Sequence, residues 1–495
     1  VEVGTTNGVI TDLNGKFSLK VAPNSQFLVS YIGYKQQTIK VGSESTYNIV
    51  LKEDAEVLDE VVVVGYGSQK KVNVTGAVGM VSAEALEARP VANASQALQG
   101  VVPGLNLTVG NNGGALDGTL NMNIRGAGTI GDGSGSSPLV LIDGIEGDLN
   151  TVNPNDIESV SVLKDAASAS IYGARASFGV ILVTTKSGKS GKTNVSYSGS
   201  ARFSDAIGVP DIMDSYTFAQ YFNRASANKG GGDIFAPAVM ERIKAYQEGT
   251  LKATTVDNGA GIWQKWANAN GDTDWFEEFY DHWAPSQEHN LSINGGTDKT
   301  QYLISGSFLD QKGLMRHGKD KFQRYTLNGK ITTAVTDWFK VTYSTKWTRE
   351  DFERPSYLTG NFFHNLARKW PVHPAYDPNG FPMDEGEVEQ MENGGKQNSQ
   401  KDFYTNQLQL VFEPIKNWKI NLDGSVRTTT QYQHWEVLPV YAYNVAGDPY
   451  YTVWDMGYGS YAAGSSRVNE YSWKENYYTT NIYSDYFKQF DNGHY

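Results

Sequence analysis

The sequence of 495 residues contains no cysteine, which excludes a disulfide scaffold and any thiolate-ligated metal. Its seven histidines include no H-x-x-x-H pair, so neither a resident metal nor a cofactor is expected. Lysine and arginine number 42 against 54 aspartate and glutamate, a net charge of −12, and no basic patch interrupts the acidic balance. Nucleic acid is thereby excluded as a partner, because phosphate binding draws most of its strength from clustered cations. Long apolar runs are missing too, since nothing approaches the roughly 18 to 20 residues of a membrane-crossing helix. Mean hydropathy is −0.44. That absence excludes helices only: a transmembrane β-strand alternates lipid-facing and lumen-facing side chains and averages out as polar.

What is abundant points to β structure. Glycine contributes 52 residues and tyrosine 29, and aromatics reach 12% of the chain. Between Leu58 and Ser68 stand two acids, four consecutive valines and Gly-Tyr-Gly. The valines favour extended backbone, and a short strand held between flexible flanks is a template for pairing with another protein's strand. The same residues alone fit an ordinary sandwich strand equally well.

Residues 1–51 read as short strands of a small, partial β-sandwich: a turn at Asp12 to Gly15, alternating Phe17, Leu19 and Val21, then Phe27 to Tyr31, Ile39 and Val41, and Tyr47, Ile49 and Leu51. Residues 69–190 mix short helices with strands. Asn93 is placed to cap a helix over ASQALQ, with Gln96 three residues on and Gly100 closing it. Asp165 starts a second helix that is expected to stop at Gly173, flanked by strands at Ser159 to Leu163 and Val180 to Thr185. Such a block has little amphipathic outer surface and suits enclosure by something larger.

From Thr193 onward the hydrophobic period is two. Phe339-Lys340-Val341-Thr342-Tyr343-Ser344-Thr345-Lys346-Trp347 alternates almost completely. Eight such strands are expected, near 194–203, 287–294, 301–309, 322–335, 339–348, 402–412, 418–430 and 476–490. The gaps between them run roughly 80, 6, 12, 3, 50, 5 and 45 residues, and long loops alternating with short turns are the pattern of a transmembrane barrel. Tyr302, Phe308, Trp338, Phe339, Trp347, Phe412, Trp418 and Phe490 are expected near strand ends, as interfacial girdles. Eight strands would close too narrow a barrel to hold a block of this size. The opening at Val1 without Met, and the Asn492-Gly493 turn at the end, fit the front part of a longer polypeptide.

Taken in order, these residues resemble the SusC/RagA-like TonB-dependent outer-membrane transporters of Bacteroidetes. Asn7 to Asp12, Gly15 to Leu19 and Ser30 to Tyr34 look like the carboxypeptidase-regulatory-like domain of that family. Asp59, Glu60, Val61, Val62, Val63, Val64, Gly65 and Tyr66 are similar to its TonB box, the segment that binds TonB. Ala97 to Gly104, Ile124-Arg125-Gly126, Val140 to Gly144, Leu163 to Asp165 and Ile171 to Arg175 through Lys186 resemble successive plug motifs. Thr273 to Trp275 and His289 to Ser292 look like the early barrel, and Phe178 departs from the family's usual Asn.

The resemblance implies a mainly β fold: a transmembrane antiparallel β-barrel of about 22 strands, eight of them in this chain, with an α/β plug domain and an N-terminal β-sandwich segment. The expected domains are a partial sandwich at 1–52, a linker with the TonB box at 53–68, a plug at 69–191 and the first part of the barrel, with long extracellular loops, at 192–495. It implies TonB-dependent import of a nutrient across the Gram-negative outer membrane, energised through TonB with ExbB and ExbD, beside a SusD-like surface lipoprotein and within outer-membrane lipid. An oligosaccharide is the expected ligand, and an oligopeptide the alternative. The reading from another class is a secreted β-sandwich adhesin or glycan-binding protein.

An enzyme is not expected and no residue is assigned a catalytic role. The carboxylates Asp274, Glu277 and Glu278 could suggest a glycosidase, but nothing in the sequence sets them across a cleft. Gly126 to Gly131 satisfies G-x-G-x-x-G yet is followed by more glycine and serine instead of a helix, so it reads as a loop. The acidic run of Asp377, Asp384, Glu385, Glu387, Glu389 and Glu392 reads as a solvated loop. Trp263, Trp266 and Trp370 suit sugar stacking and loop packing equally.

Overall fold

The computed structural model describes the chain apart from residues 1, 3, 4, 6, 10, 13, 14, 23, 24, 31–35, 43, 52–60, 65, 66, 71–76, 88, 90, 92, 110–115, 117–119, 127–136, 453–463 and 488–495. The described residues fall into two units, Val1–Val78 and Gly79–Tyr495.

In the first unit, β1 (Gln26–Val29) pairs antiparallel with β2 (Gln37–Lys40). Phe27 is buried and meets Phe17 and Tyr47 with ring centroids 6.0 and 5.7 Å away. The alternating stretches around Phe17 and Tyr47 form no strand, contrary to expectation. One buried aromatic offers too little apolar area to hold further strands, and a lone two-stranded pair is itself marginal. A second hairpin joins β3 (Val61–Val64) to β4 (Gly67–Lys70), with Val61 opposite Lys70 and Val64 opposite Gly67.

The second unit opens with a block built on a five-stranded sheet. Its strands are β5 (Val78–Ser82), β8 (Leu139–Ile142), β9 (Ile145–Glu146), β10 (Ile157–Leu163) and β11 (Val180–Thr185), in the order β5-β10-β11-β8-β9, while β6 (Leu105–Val109) and β7 (Leu120–Ile124) form a separate hairpin. Helices α1 (Ala83–Glu87) and α2 (Ala94–Leu98) bring Leu86 and Leu98 against Val160, Val162 and Ile181 in one apolar core. The cap is as expected: the Asn93 side chain accepts from the Gln96 N–H at 2.9 Å. Asp165 likewise caps α3 (Ala166–Ala169), but the chain does not stop at Gly173. Gly173, at φ 62°, kinks it and a further turn runs on to Ala176, which glycine alone does without strain.

The rest of the unit is an eight-stranded antiparallel wall. It runs β12 (Gly191–Ser204), β13 (Ala284–Gly296), β14 (Thr300–Lys312), β15 (Lys321–Thr336), β16 (Phe339–Pro355), β17 (Lys396–Ile415), β18 (Trp418–Val437) and, after the small hairpin β19 (Tyr441–Tyr443) and β20 (Pro449–Tyr451), β21 (Arg467–Tyr486), each large strand paired with the next. All eight expected strands are present and most are longer than the sequence pattern suggests. At one end lie the tight turns 297–299, 337–338 and 416–417. At the other lie 205–283, 313–320, 356–395 and 438–466, carrying α4 (Ser215–Asn228), α5 (Pro237–Gln247), α6 (Trp275–Phe279), α7 (Gly360–Leu366) and α8 (Val388–Asn393). The parity of loop lengths is therefore real.

Register makes the wall two-faced. Leu291, Gly306 and Leu327 stand in one cross-strand row, and Ile331, Tyr343 and Leu408 in another. Leu291, Leu327, Ile331, Tyr343 and Leu408 are all at least 43% exposed, an apolar band that requires a non-aqueous neighbour. Trp338, Phe339, Phe412 and Trp418 close the band at the short-turn end, with Phe339 and Phe412 stacked at 4.6 Å. Two staggered aromatic pairs, Phe308 opposite Tyr325 and, two residues nearer the short turns, Trp347 opposite Tyr404 and Leu327, make up a second aromatic row. Phe308 and Trp347 thus lie within strands and not near their ends, because β14 and β16 continue past this row toward the long loops. From Phe339 to Trp347 the band rises roughly 20 Å at barrel tilt, close to the height of a bilayer-facing belt. Phe490 lies outside the described residues.

Candidate functional site

The segment expected to recruit a partner strand is partly in view. Val61, Val62, Val63 and Val64 form the strand β3, while Asp59, Glu60, Gly65 and Tyr66 lie outside the described residues. One edge of β3 is taken by β4, so among the described residues it keeps one edge for an incoming strand. The sequence did not suggest this hairpin partner, Gly67 to Lys70, because Gly-Ser-Gln-Lys has little intrinsic β preference.

The polar face of the wall meets the sheet block. Asp143 sits in the tight turn between β8 and β9 at φ 50°, within the region where aspartate is tolerated. Its carboxylate accepts from the Thr185 N–H at 2.9 Å and the Thr185 hydroxyl at 2.6 Å, and pairs with the Lys346 ammonium, while Lys330 Nζ is 4.0 Å away. Burial pushes the Asp143 carboxyl up, but Lys346 and Lys330 more than reverse this and hold it well below the usual carboxylate range. Further contacts surround the pair. The Gln407 amide donates to the Asp143 carbonyl at 3.0 Å, Asn328 to Asp156 at 2.5 Å and Arg324 to the Asn150 carbonyl at 2.8 Å. Arg427 donates to the Glu146 carbonyl. Between block and wall lies a cavity of about 310 Å³ lined in part by Glu146, Asp156, Lys330, Lys346, Lys401 and Arg427.

The long loops fold on one another, and here the solvated-loop expectation is overturned. Glu387, Glu389 and Asp377 are each no more than 8% exposed. Glu387 pairs with Lys369 at 2.8 Å and accepts from Tyr357 and Asn365, both at 2.9 Å. Asp384 and Glu385 both pair with Lys265 at 2.7 Å. His317 bridges Glu278 and Glu392 at 2.8 and 2.7 Å, and Tyr376 donates to Glu278 at 3.0 Å. Burial would lower the His317 imidazole, and its hydrogen bonds to the two carboxylates raise it. Lys265 and His317 come from other loops, which local sequence cannot display, while Tyr357, Asn365 and Lys369 are brought onto Glu387 by the folding of its own loop. The charges surround an apolar core of Trp275, Phe279, Phe362, Leu366 and Val388.

The carboxylates that might have suggested hydrolysis are occupied otherwise. Asp274 caps α6, accepting from the Phe276 and Glu277 N–H groups, and Glu278 is held by His317 and Tyr376. Trp370 packs with Phe218, Phe222 and Phe235, and Trp266 stacks on His373 at 4.6 Å. The glycine-rich stretch from residue 127 to 136 lies outside the described residues.

Comparison with known proteins matches this layout. The TonB-dependent Receptor Plug Domain matches residues 70–180, and the CarboxypepD_reg-like domain matches residues 1–63. The chain is 33% identical over 334 residues to TonB-dependent receptor SusC of Bacteroides thetaiotaomicron, covering 65% of this chain and 29% of that protein. It is 32% identical over 375 residues to TonB-dependent receptor P39 of Formosa agariphila, covering 75% of this chain and 32% of that one. The RagAB peptide importer in its open-open state superposes with a TM-score of 0.66 at 25% identity, over 86% of this chain and 47% of that one. The chain thus spans about three tenths of the length of these curated relatives. These relatives are receptors and not enzymes. With its plug domain seated against a two-faced antiparallel wall, this chain belongs to the SusC-like TonB-dependent receptors, a family of outer-membrane β-barrel proteins.

Proposed function

We propose that this chain serves TonB-dependent active import of a nutrient across the outer membrane, with the plug blocking a lumen that the wall begins to enclose. The observation that carries the reading is the seating of the plug on the polar face of a sheet whose other face is an apolar band. A secreted adhesin has no use for that band. The domain boundaries are proposed at 1–52, 53–68, 69–191 and 192–495.

TonB is the proposed partner of Asp59 to Tyr66, with ExbB and ExbD supplying the energy. Pairing along the free edge of β3 would form a handful of backbone hydrogen bonds worth about 0.5 to 1.5 kcal/mol each. Association costs roughly 4 kcal/mol or more, so the contact is weak and reversible, as a cycle of pulling and release requires. A SusD-like surface lipoprotein is the proposed partner on the long-loop side. The proposed nutrient is an oligosaccharide. An oligopeptide is the second reading, supported by the fold likeness to the RagAB peptide importer.

The test is Val62→Pro in the full-length protein, which removes a backbone donor and fixes φ within β3. Uptake should be abolished while ligand binding at the cell surface is retained. Unchanged uptake removes the TonB-pairing role.

A further inference from the structure

A second cavity, of about 630 Å³, opens among the long loops and is distinct in its lining from the plug–wall cavity. Its walls come from three separate loops: Trp266 from the first, Arg368, Glu385 and Gln390 from the third, and Thr452 from the last. Three features make it more than a packing defect. Trp266, Glu385 and Glu387 all hold positive φ, at 51°, 61° and 70°, a conformation uncommon for glutamate and still more so for tryptophan. Strain of this kind persists only where the surroundings over-determine it, and it gathers at binding sites.

Gln390 is the second feature. The residue is 3% exposed, and its side-chain oxygen has no hydrogen-bond donor. A buried acceptor left alone is costly, and a ligand hydroxyl is one group that relieves it. The third is aromatic. Trp266 is fixed by His373 stacked on it and by its indole N–H donating to Glu385 at 2.5 Å. His373 does not line the cavity, whereas Trp266 does, and it shares the aromatic part of the wall with Trp370 and Tyr357. Burial pushes the His373 imidazole down to about 3, so the stack stays uncharged across the physiological range.

The lining charges cancel. Lys369 is consumed by Glu387 at 2.8 Å and Glu385 by Lys265 at 2.7 Å, a lysine that Asp384 shares, so with Arg368 three cations stand against three carboxylates. A charged ligand would find no surplus of the opposite sign. A flat apolar face with hydroxyls around its rim fits an indole wall, a lone acceptor and an exposed guanidinium.

We propose that this cavity binds a neutral sugar unit of an oligosaccharide, with Trp266 as the stacking surface, the Gln390 oxygen accepting from a hydroxyl and Arg368 donating to one. The inference rests on the import reading above and deepens it. The experiment is calorimetric titration of the full-length protein with maltoheptaose, cellopentaose, laminarihexaose and xylopentaose, and with a neutral glycine-serine pentapeptide as the contrasting probe. Gln390→Leu removes an acceptor that has no donor, so thermal stability should hold or rise while sugar affinity falls about fivefold, the equivalent of one ordinary hydrogen bond. Arg368→Ala should cause a similar loss at unchanged stability. Sugar binding that both variants leave intact overturns the proposal, as does absence of binding to every sugar tested or preference for the pentapeptide. If sugar uptake in cells still fails on Val62→Pro, the import reading stands although the cavity assignment falls.

Discussion

The Asp143 turn offers the sharpest test of how the plug is held. Replacing Asp143 by Asn keeps the shape and the acceptor for the Thr185 N–H but removes the charge between Lys346 and Lys330. Removing one partner of a buried pair costs roughly 3 to 5 kcal/mol. The lysine side chains retain 23% and 15% exposure and so recover some hydration, which places the expected cost near the lower bound, about 3 kcal/mol. That corresponds to roughly a hundredfold rise in the opening of this part of the plug. Hydrogen exchange on the full-length protein in detergent reads it directly, at the amides of β8 and β11. Adding Lys346→Met to Asp143→Asn should recover part of the loss, because the unpaired ammonium is then gone too. Because the folded carboxyl lies below its ordinary value, the stabilisation is complete above pH about 4 and disappears as the pH falls further. Unchanged exchange in Asp143→Asn, or strict additivity in the double variant, refutes the claim that this turn anchors plug to wall.

Three further outcomes are expected. His317 has a raised pKa between Glu278 and Glu392, so its contribution to the loop cluster is complete below about pH 6.5 and is lost as the pH rises through the folded value; His317→Gln should abolish the corresponding fall in thermal midpoint between about pH 6 and pH 9. Lys369→Met strands the Glu387 carboxylate and should destabilise the outer loops by about 3 to 5 kcal/mol, seen as accelerated proteolysis there, with Glu387→Gln in the same chain restoring most of it. Ile331→Arg, on the apolar face midway between the two aromatic rows, should cost about 2 to 4 kcal/mol in bilayer refolding and far less at Trp338, which lies at an interface.

Much of this architecture is written in local pattern. The wall strands were legible because alternation in a stretch such as Phe339 to Trp347 is a period-two code that both lipid and lumen enforce, and the α2 cap because Asn93 and Gln96 act within one turn. Strand ends were less so, since β16 runs past Trp347 to Pro355 through charged residues that pair across the sheet, Arg349 with Asp402 among them. The acidic run between Asp377 and Glu392 misled because Lys265 and His317 reach it from other loops, and because folding of its own loop brings Lys369 onto Glu387. Strands expected around Phe17 and Tyr47 failed for the opposite reason: the local pattern is adequate, but Phe27 alone supplies no core to recruit them.

The strand order of the plug has a mechanical consequence. A tension entering the chain ahead of residue 78 is delivered first to β5, which among the described residues borders only β10, whereas Asp143 is fastened beside β9 at the opposite margin. Load therefore arrives first at a margin strand whose neighbour β10 follows directly on Asp156, tied to the wall by Asn328, and the Asp143 fastening at the far margin is reached last. If the chain serves import as proposed, traction would loosen the plug from its β5 margin first, and a narrow passage would open there while the Asp143 margin stays moored.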